Sequence, residues 1–213
     1  MRIVCISDTH GKHMGIEQIP DGDVLIHAGD SLGVGGIYQL GLLNEWLGTL
    51  PHKHKILIAG NHDWCFQNRP DEARATVTNA IYLEDSGAFI GGFNFWGSPW
   101  TPRFHDWAFN LDRGEQLKMI WQRIPDDTDV LITHGPPAGI LDTVPTPTGQ
   151  EQVGCADLRD RLFELPRLKA HVFGHIHEGY GSKTWQDKNL LFVNGCTCTS
   201  WYQPTNPPIV FDL

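Results

Sequence analysis

The chain has 213 residues, 40% of them apolar and 19% charged. That balance supplies a core for one globular domain and excludes a disordered chain, a collagen and a coiled coil. Twenty-five acidic against 16 basic residues leave a formal charge of −9, the wrong sign for broad phosphate neutralisation, so extended nucleic-acid binding is excluded.

Read from the start, Met1–Ser7 opens directly as a strand with no basic, long-apolar leader ahead of it. Short apolar runs then recur, and those at Ile3–Ile6, Val24–Ala28 and Ile56–Ala59 are predicted strands buried on both faces. Gly36–Leu50 sets Tyr38, Leu42, Leu43, Trp46 and Leu50 at helical spacing before Pro51 stops it, and Asp71–Asn79 starts a second helix after Pro70. Ala88–Trp96 reads as a further strand and Trp100–Asn110 as an aromatic loop. Arg113–Arg123 is a helix with Leu117, Ile120 and Trp121 on one side, followed by the strand Val130–Thr133. Pro136–Gly154, rich in Pro, Thr and Gly, is predicted to be a long functional loop. Cys155–Leu165 is a fourth helix, and Ala170–Phe173, Leu190–Val193 and Ile209–Phe211 close the chain as strands. Interleaving early and strand-rich late, the pattern predicts layered α/β architecture with mixed sheets, in one domain over residues 1–213. No apolar run approaches the roughly 20 residues that span a bilayer. The five cysteines form no framework and read as reduced thiols, so the expectation is a cytoplasmic protein without membrane contact.

The chemistry lies in the residues just past each strand. Ile3–Ile6 leads into Ser7-Asp8-Thr9-His10-Gly11, Val24–Ala28 into Gly29-Asp30, and Ile56–Ala59 into Gly60-Asn61-His62-Asp63. Val130–Thr133 leads into His134-Gly135, and Ala170–Phe173 into Gly174-His175-Ile176-His177. Taken singly, an Asp-x-His or Gly-Asp at a strand end is a turn with an Asx bond, and a lone histidine bonds nearby backbone. Their joint occurrence at successive strand ends, where open α/β sheets form their sites, points instead to a metal centre. Imidazole and carboxylate without thiolate suit Mn²⁺, Zn²⁺ or Fe.

This ordered set resembles the calcineurin-like metallophosphoesterase superfamily. The stretches Asp23–Asp30, Trp96–Trp100, Thr133–Pro137, His171–Gly181 and Asn206–Leu213 are similar to its small metallophosphoesterase-domain proteins, some of which act on cyclic nucleotides as class III phosphodiesterases do. The resemblance implies a four-layer α/β/β/α sandwich of two mixed β-sheets flanked by helices. It also implies two divalent transition-metal ions, Mn²⁺ first, with Zn²⁺, Fe or Ni²⁺ as alternatives. Carried over by position, Asp8, His10, Asp30 and His177 hold one ion and Asp30, Asn61, His134 and His175 the other, with Asp30 bridging. His62 is the implied general acid, with Asp63 fixing its orientation through a hydrogen bond. The activity implied is hydrolysis of small phosphodiesters such as cyclic nucleotides by hydroxide held between the metals. The alternatives are a phosphomonoesterase or phosphoprotein phosphatase, and a non-catalytic scaffold on the same fold. A scaffold would have lost ligands, and every block here is intact.

The aromatic loop offers Arg103 and His105 for phosphate and ring faces for a base, or else merely bridges sheet and helix. His27 and His171 are expected as hydrogen-bonded core residues within strands, and His13, His52 and His54 at the surface.

Overall fold

Along the predicted strands, neighbouring side chains are buried on opposite faces, and that alternation dictates layers. The computed structural model describes all 213 residues. Its first half runs β1 (Arg2–Ile6), β2 (Val24–Ala28), α1 (Ile37–Thr49), β3 (His54–Ile58), α2 (Trp64–Asn68), α3 (Pro70–Thr76) and β4 (Ile81–Tyr82). There follow β5 (Ser86–Ile90), β6 (Phe93–Ser98), β7 (Thr101–Pro102), β8 (Asn110–Leu111), α4 (Glu115–Trp121) and β9 (Val130–Thr133). The remainder is β10 (Thr143–Thr146), β11 (Gly149–Gln152), α5 (Ala156–Glu164), β12 (Ala170–Phe173), β13 (Gly181–Trp185), β14 (Leu190–Asn194) and β15 (Ile209–Asp212).

Two mixed sheets result. The first has the order β15-β1-β2-β3-β4, with only β15 antiparallel. The second has the order β13-β14-β12-β9-β6-β5, parallel across its four inner strands and antiparallel at both edges. Ile3, Cys5, Val24, Ile26, Ile56 and Ile58 point from the first sheet into a shared core with Phe95, Val130, Ile132 and Val172 of the second. Their neighbours Val4, Ile6, Leu25 and Leu57 point outward onto Leu40, Leu43 and Leu47 of α1. Leu131, Phe173 and Phe192 cover the other outer face with Leu117 and Trp121 of α4 and Leu158 and Leu162 of α5. Each fully buried aliphatic side chain contributes about 1.5–3 kcal/mol, and the three cores together make the α/β/β/α sandwich.

Three departures from the sequence reading have local causes. Ala88–Trp96 is not one strand, because Gly91 and Gly92 both adopt positive φ (57° and 92°) and turn it into the β5–β6 hairpin. Pro136–Gly154 is not wholly loop, since it contains the β10–β11 hairpin; its half-exposed and exposed Thr, Gln and Glu side chains carry no apolar alternation. His13 and His52 are not at the surface: His13 packs on Trp46 with ring centroids 4.9 Å apart, and His52 Nε2 bonds the Pro20 carbonyl at 3.0 Å, both rings buried. No helix is long and apolar enough to cross a membrane.

Candidate metal centre

Because β1, β2 and β3 run parallel in one sheet, and β9 and β12 in the other, their carboxyl ends meet at one end of the sandwich. The chain must turn sharply at each exit. Asp8, His10, Asp30 and His175 all take positive φ, at 51°, 47°, 49° and 69°, a conformation costing non-glycine residues about 1–3 kcal/mol and found chiefly where function demands it. Gly174 permits close approach: a Cβ there would overlap Asp8 Oδ2 and Ser7 Oγ.

Three groups of ligand-type side chains converge here: Asp8, His10 and His177; His10, Asp30 and His62; and Asp30, His134 and His175, each with its ligand atoms within 4.8 Å of one another. Asp30 spans the groups. Its Oδ1 lies 3.3 Å from His134 Nε2 and its Oδ2 3.9 Å from His10 Nε2. Asn61 joins through Oδ1, 3.0 Å from His134 Nε2. All seven residues expected as ligands are therefore brought together.

Their protein partners hold the ligand atoms inward. His134 Nδ1 donates to the Ala28 carbonyl at 3.0 Å and His177 Nδ1 to the Thr199 carbonyl at 2.9 Å, which leaves each Nε2 facing the centre. Asp8 Oδ2 accepts from Ser7 Oγ at 2.5 Å, from the His175 amide at 2.9 Å and from Cys196 Sγ at 3.3 Å. Asp8 Oδ1, by contrast, is fully buried and has no donor. It faces His177 Nε2 at 3.6 Å and His10 Nε2 at 3.9 Å, and those two nitrogens are 3.3 Å apart. An orphaned carboxylate oxygen beside two converging imidazole nitrogens is a set of lone pairs that a cation satisfies, at a burial where an unmet polar atom costs about 1–3 kcal/mol.

The electrostatics agree. Burial pushes His10 and His175 down to about 4, so both are neutral near pH 7 with lone pairs available. Burial also opposes protonation of His134, yet the adjacent Asp30 outweighs it and lifts that imidazole to about 10. Asp30 itself, raised by burial, is carried the other way by His134 and stays ionised. A charge is thus demanded between these two groups, and a divalent ion answers it more fully than a proton. The donor set fits hard to borderline divalent metals.

His62 belongs to the same cluster. Its Nδ1 bonds the Gly33 carbonyl at 3.2 Å, its Nε2 lies 4.0 Å from Asp30 Oδ2, and its ring stacks on Trp107 at 4.2 Å. The expected bond from Asp63 is not made. Asp63 instead accepts from the amides of Gly60, Ser31 and Leu32 at 2.8, 3.2 and 2.9 Å and from Ser31 Oγ at 3.2 Å. It ties the β2 and β3 exits together, and the Gly33 carbonyl orients His62. Burial and the charge of Asp30 push Asp63 up to about 7 against the three backbone amides.

The aromatic loop packs partly into the core and partly along a cavity. Phe109 is buried and Trp100 packs against it while donating from Nε1 to Asp85 at 3.0 Å. Arg103 and Phe104 line a cavity bordering His175, with Arg103 Nε held by Asp112 at 2.6 Å. His105, at φ 53°, lies edge-on to Phe104 and does not line that cavity. Sequence reasoning missed Tyr202, which meets His10 and His177 at 4.8 and 5.4 Å, and the Ser7 and Cys196 donors. Ser7 precedes Asp8 and was open to notice; Tyr202 sits 25 residues beyond His177, with no pattern to mark it.

Comparison with known proteins accords with this geometry. The family model for calcineurin-like phosphoesterases matches residues 1–179. Human metallophosphoesterase domain-containing protein 1 is 44% identical over the whole chain, which covers 71% of that protein. UPF0046 protein T07D4.2 of Caenorhabditis elegans is 38% identical, again over the whole chain and 60% of the relative. The crystal structure of TT1561 of Thermus thermophilus shares the fold, with a TM-score of 0.60 at 14% identity over 92% of this chain and 88% of that one. The two sheets, the strand-end ligand cluster and these relatives together make the chain a member of the calcineurin-like phosphoesterase family.

Proposed function

We propose that the chain is a two-metal phosphodiesterase of small substrates such as cyclic nucleotides, working as a single domain. Asp8, His10, Asp30 and His177 would hold one ion and Asp30, Asn61, His134 and His175 the other. The observation that carries this reading is the carboxylate of Asp30, whose two oxygens face histidines of different groups. When bound, a metal pair polarises the phosphoryl group and acidifies water near neutral pH. The side chains do the rest. His62, fixed through Nδ1 by the Gly33 carbonyl, presents Nε2 to the departing oxygen and delivers its proton there. Trp107 shields that face of the imidazole from water. Asp63 holds the β2 and β3 exits in register, so Asp30 and His62 keep their separation.

A diester is favoured over a monoester because the two arginines nearest the cluster are tied to other protein groups instead of forming a cluster for a dianion. Arg103 Nε is engaged by Asp112, and Arg113 donates to the carbonyls of Gly154 and Val153 at 2.7 and 2.6 Å. The test compares bis-4-nitrophenyl phosphate with 4-nitrophenyl phosphate at one Mn²⁺ concentration, alongside metal analysis. The expected result is a higher kcat/KM for the diester, two metals per chain, and loss of both on Asp30→Ala. Monoester preference, or one metal with full activity, refutes it.

A further inference from the structure

Beside His175, outside the ligand cluster, lies a cavity of about 480 Å³, within the range of small-molecule sites. Arg103 and Phe104 from the aromatic loop, Arg113 ahead of α4, and Val144 and Val153 from the β10–β11 hairpin and the residue beyond it form its walls. Phe104 is 57% exposed, yet the loop that carries it is braced. Arg103 N donates to the Leu111 carbonyl at 2.8 Å, and Asn110 Nδ2 donates to the carbonyls of Phe104 and His105 at 3.1 and 3.0 Å. Across the cavity, the Arg113 guanidinium staples the base of the hairpin through the Val153 and Gly154 carbonyls. A large, mostly exposed apolar ring thus stands on a braced support, in a cavity that two valines and two arginines also line. Phenyl and guanidinium faces both stack on flat rings.

The position of the cavity is informative. His62 and Trp107 sit with His10 and Asp30, whereas the cavity borders His175 of the other group. Phosphorus in a diester carries two ester oxygens. Water adds to phosphorus, the bond to the leaving oxygen breaks, and that oxygen takes a proton, departing as an alcohol from an acyclic diester and staying as a hydroxyl on the same ribose in a cyclic nucleotide. The second ester bond stays intact, so in an acyclic diester its substituent remains on the product monoester, away from His62, and in a cyclic nucleotide the base stays with the product through that same bond.

We infer that the cavity beside His175 receives the retained ester substituent and selects a flat aromatic one, with Phe104 as its specificity-determining stacking face. The inference rests on the phosphodiesterase reading and names the half of the substrate which that reading leaves open. It predicts that a base-bearing retained group is preferred over a small alkyl one.

The test uses two diesters with the same leaving group, phenyl 4-nitrophenyl phosphate and methyl 4-nitrophenyl phosphate, on the full chain with Mn²⁺. The wild type should favour the phenyl ester, and Phe104→Ala should lower the phenyl-to-methyl ratio of kcat/KM about tenfold, as loss of one aromatic stack does. An unchanged ratio overturns the inference. Calorimetric titration with phenylphosphonate provides a readout independent of turnover, and its affinity should fall by a similar factor in the variant. If no ester is hydrolysed, the phosphodiesterase reading falls while the titration still decides the cavity: equal phenylphosphonate affinity in both proteins refutes it.

Discussion

Asp8 divides its labour between two oxygens. Oδ2 is saturated by Ser7, the His175 amide and Cys196, and Oδ1 is left bare toward His10 and His177. Such partners behind a ligand are worth about 10–100-fold in metal affinity. Ser7→Ala should therefore weaken metal retention about tenfold, read by competition with a chelator, while the far-ultraviolet circular dichroism stays unchanged; undiminished retention would show that Ser7 merely fills space. His62 poses a different question, because it approaches Asp30 but its ring is fixed from the Gly33 side. A positioned general acid contributes about 10²–10⁴-fold when the leaving group is a poor one, and little when it is a nitrophenolate. His62→Ala should cost a cyclic nucleotide a loss of that order and bis-4-nitrophenyl phosphate far less, with metal content unchanged. Equal losses on both substrates, or loss of metal, would assign His62 to coordination or structure.

At the level of elements, β2 and β12 each carry a buried histidine that bonds a threonine at the exit of a neighbouring strand. His27 Nε2 meets Thr9 Oγ1 at 2.9 Å, and His171 Nε2 meets Thr133 Oγ1 at 2.8 Å. The threonines adjoin Asp8 and His134, so each strand histidine braces a turn of the candidate metal centre from behind. Burial pushes both imidazoles down to about 3, below the value near 6.5 of an unfolded chain. As pH falls below about 6.5 the unfolded state takes up the proton first, so stability declines, by about 1.4 kcal/mol per pH unit for each histidine, until about pH 3. It is fully present above pH 6.5. Urea unfolding of chelated protein at pH 7 and pH 5 should show this decline, and His171→Gln should flatten it by one histidine's share. A variant as acid-sensitive as the wild type would place the proton uptake elsewhere.

Across the whole molecule, the candidate metal centre is where the two sheets meet outside their hydrophobic core. Asp8, Asp30 and Asn61 leave one sheet, and His134, His175 and His177 leave the other. A ligand bound only by the folded form at 100 times its dissociation constant adds about 2.7 kcal/mol. In a chain of this size that corresponds to roughly 5–10 °C in Tm. Removing divalent metal with a chelator should lower Tm by about this amount in the wild type and leave Asp30→Ala unmoved. An equal fall in both would mean that the chelator acts elsewhere.

Much of this was legible in the linear chain, and for a definite reason. Strands buried on both faces must be continuous apolar runs, so β2, β9 and β12 stand out with their limits intact. Polar groups gathered beyond strand ends must come soon after those runs, so the convergence of Asp8, His10, Asp30, Asn61, His134, His175 and His177 could be anticipated from their order. What escaped was whatever depends on chain segments far apart meeting in space. Asp63 lies next to His62 in sequence, but its carboxylate turns toward Ser31 and Leu32, more than 30 positions away, because buried amides there need an acceptor. The β10–β11 hairpin carries no apolar face, so no periodicity announced it, and Tyr202 reaches His10 across 192 positions. The cavity beside His175 belongs to the same class: its walls come from six separated stretches of chain. Apolar periodicity and motif order record local burial and the sequence of turns, whereas enclosure is a property of surfaces that only packing brings face to face.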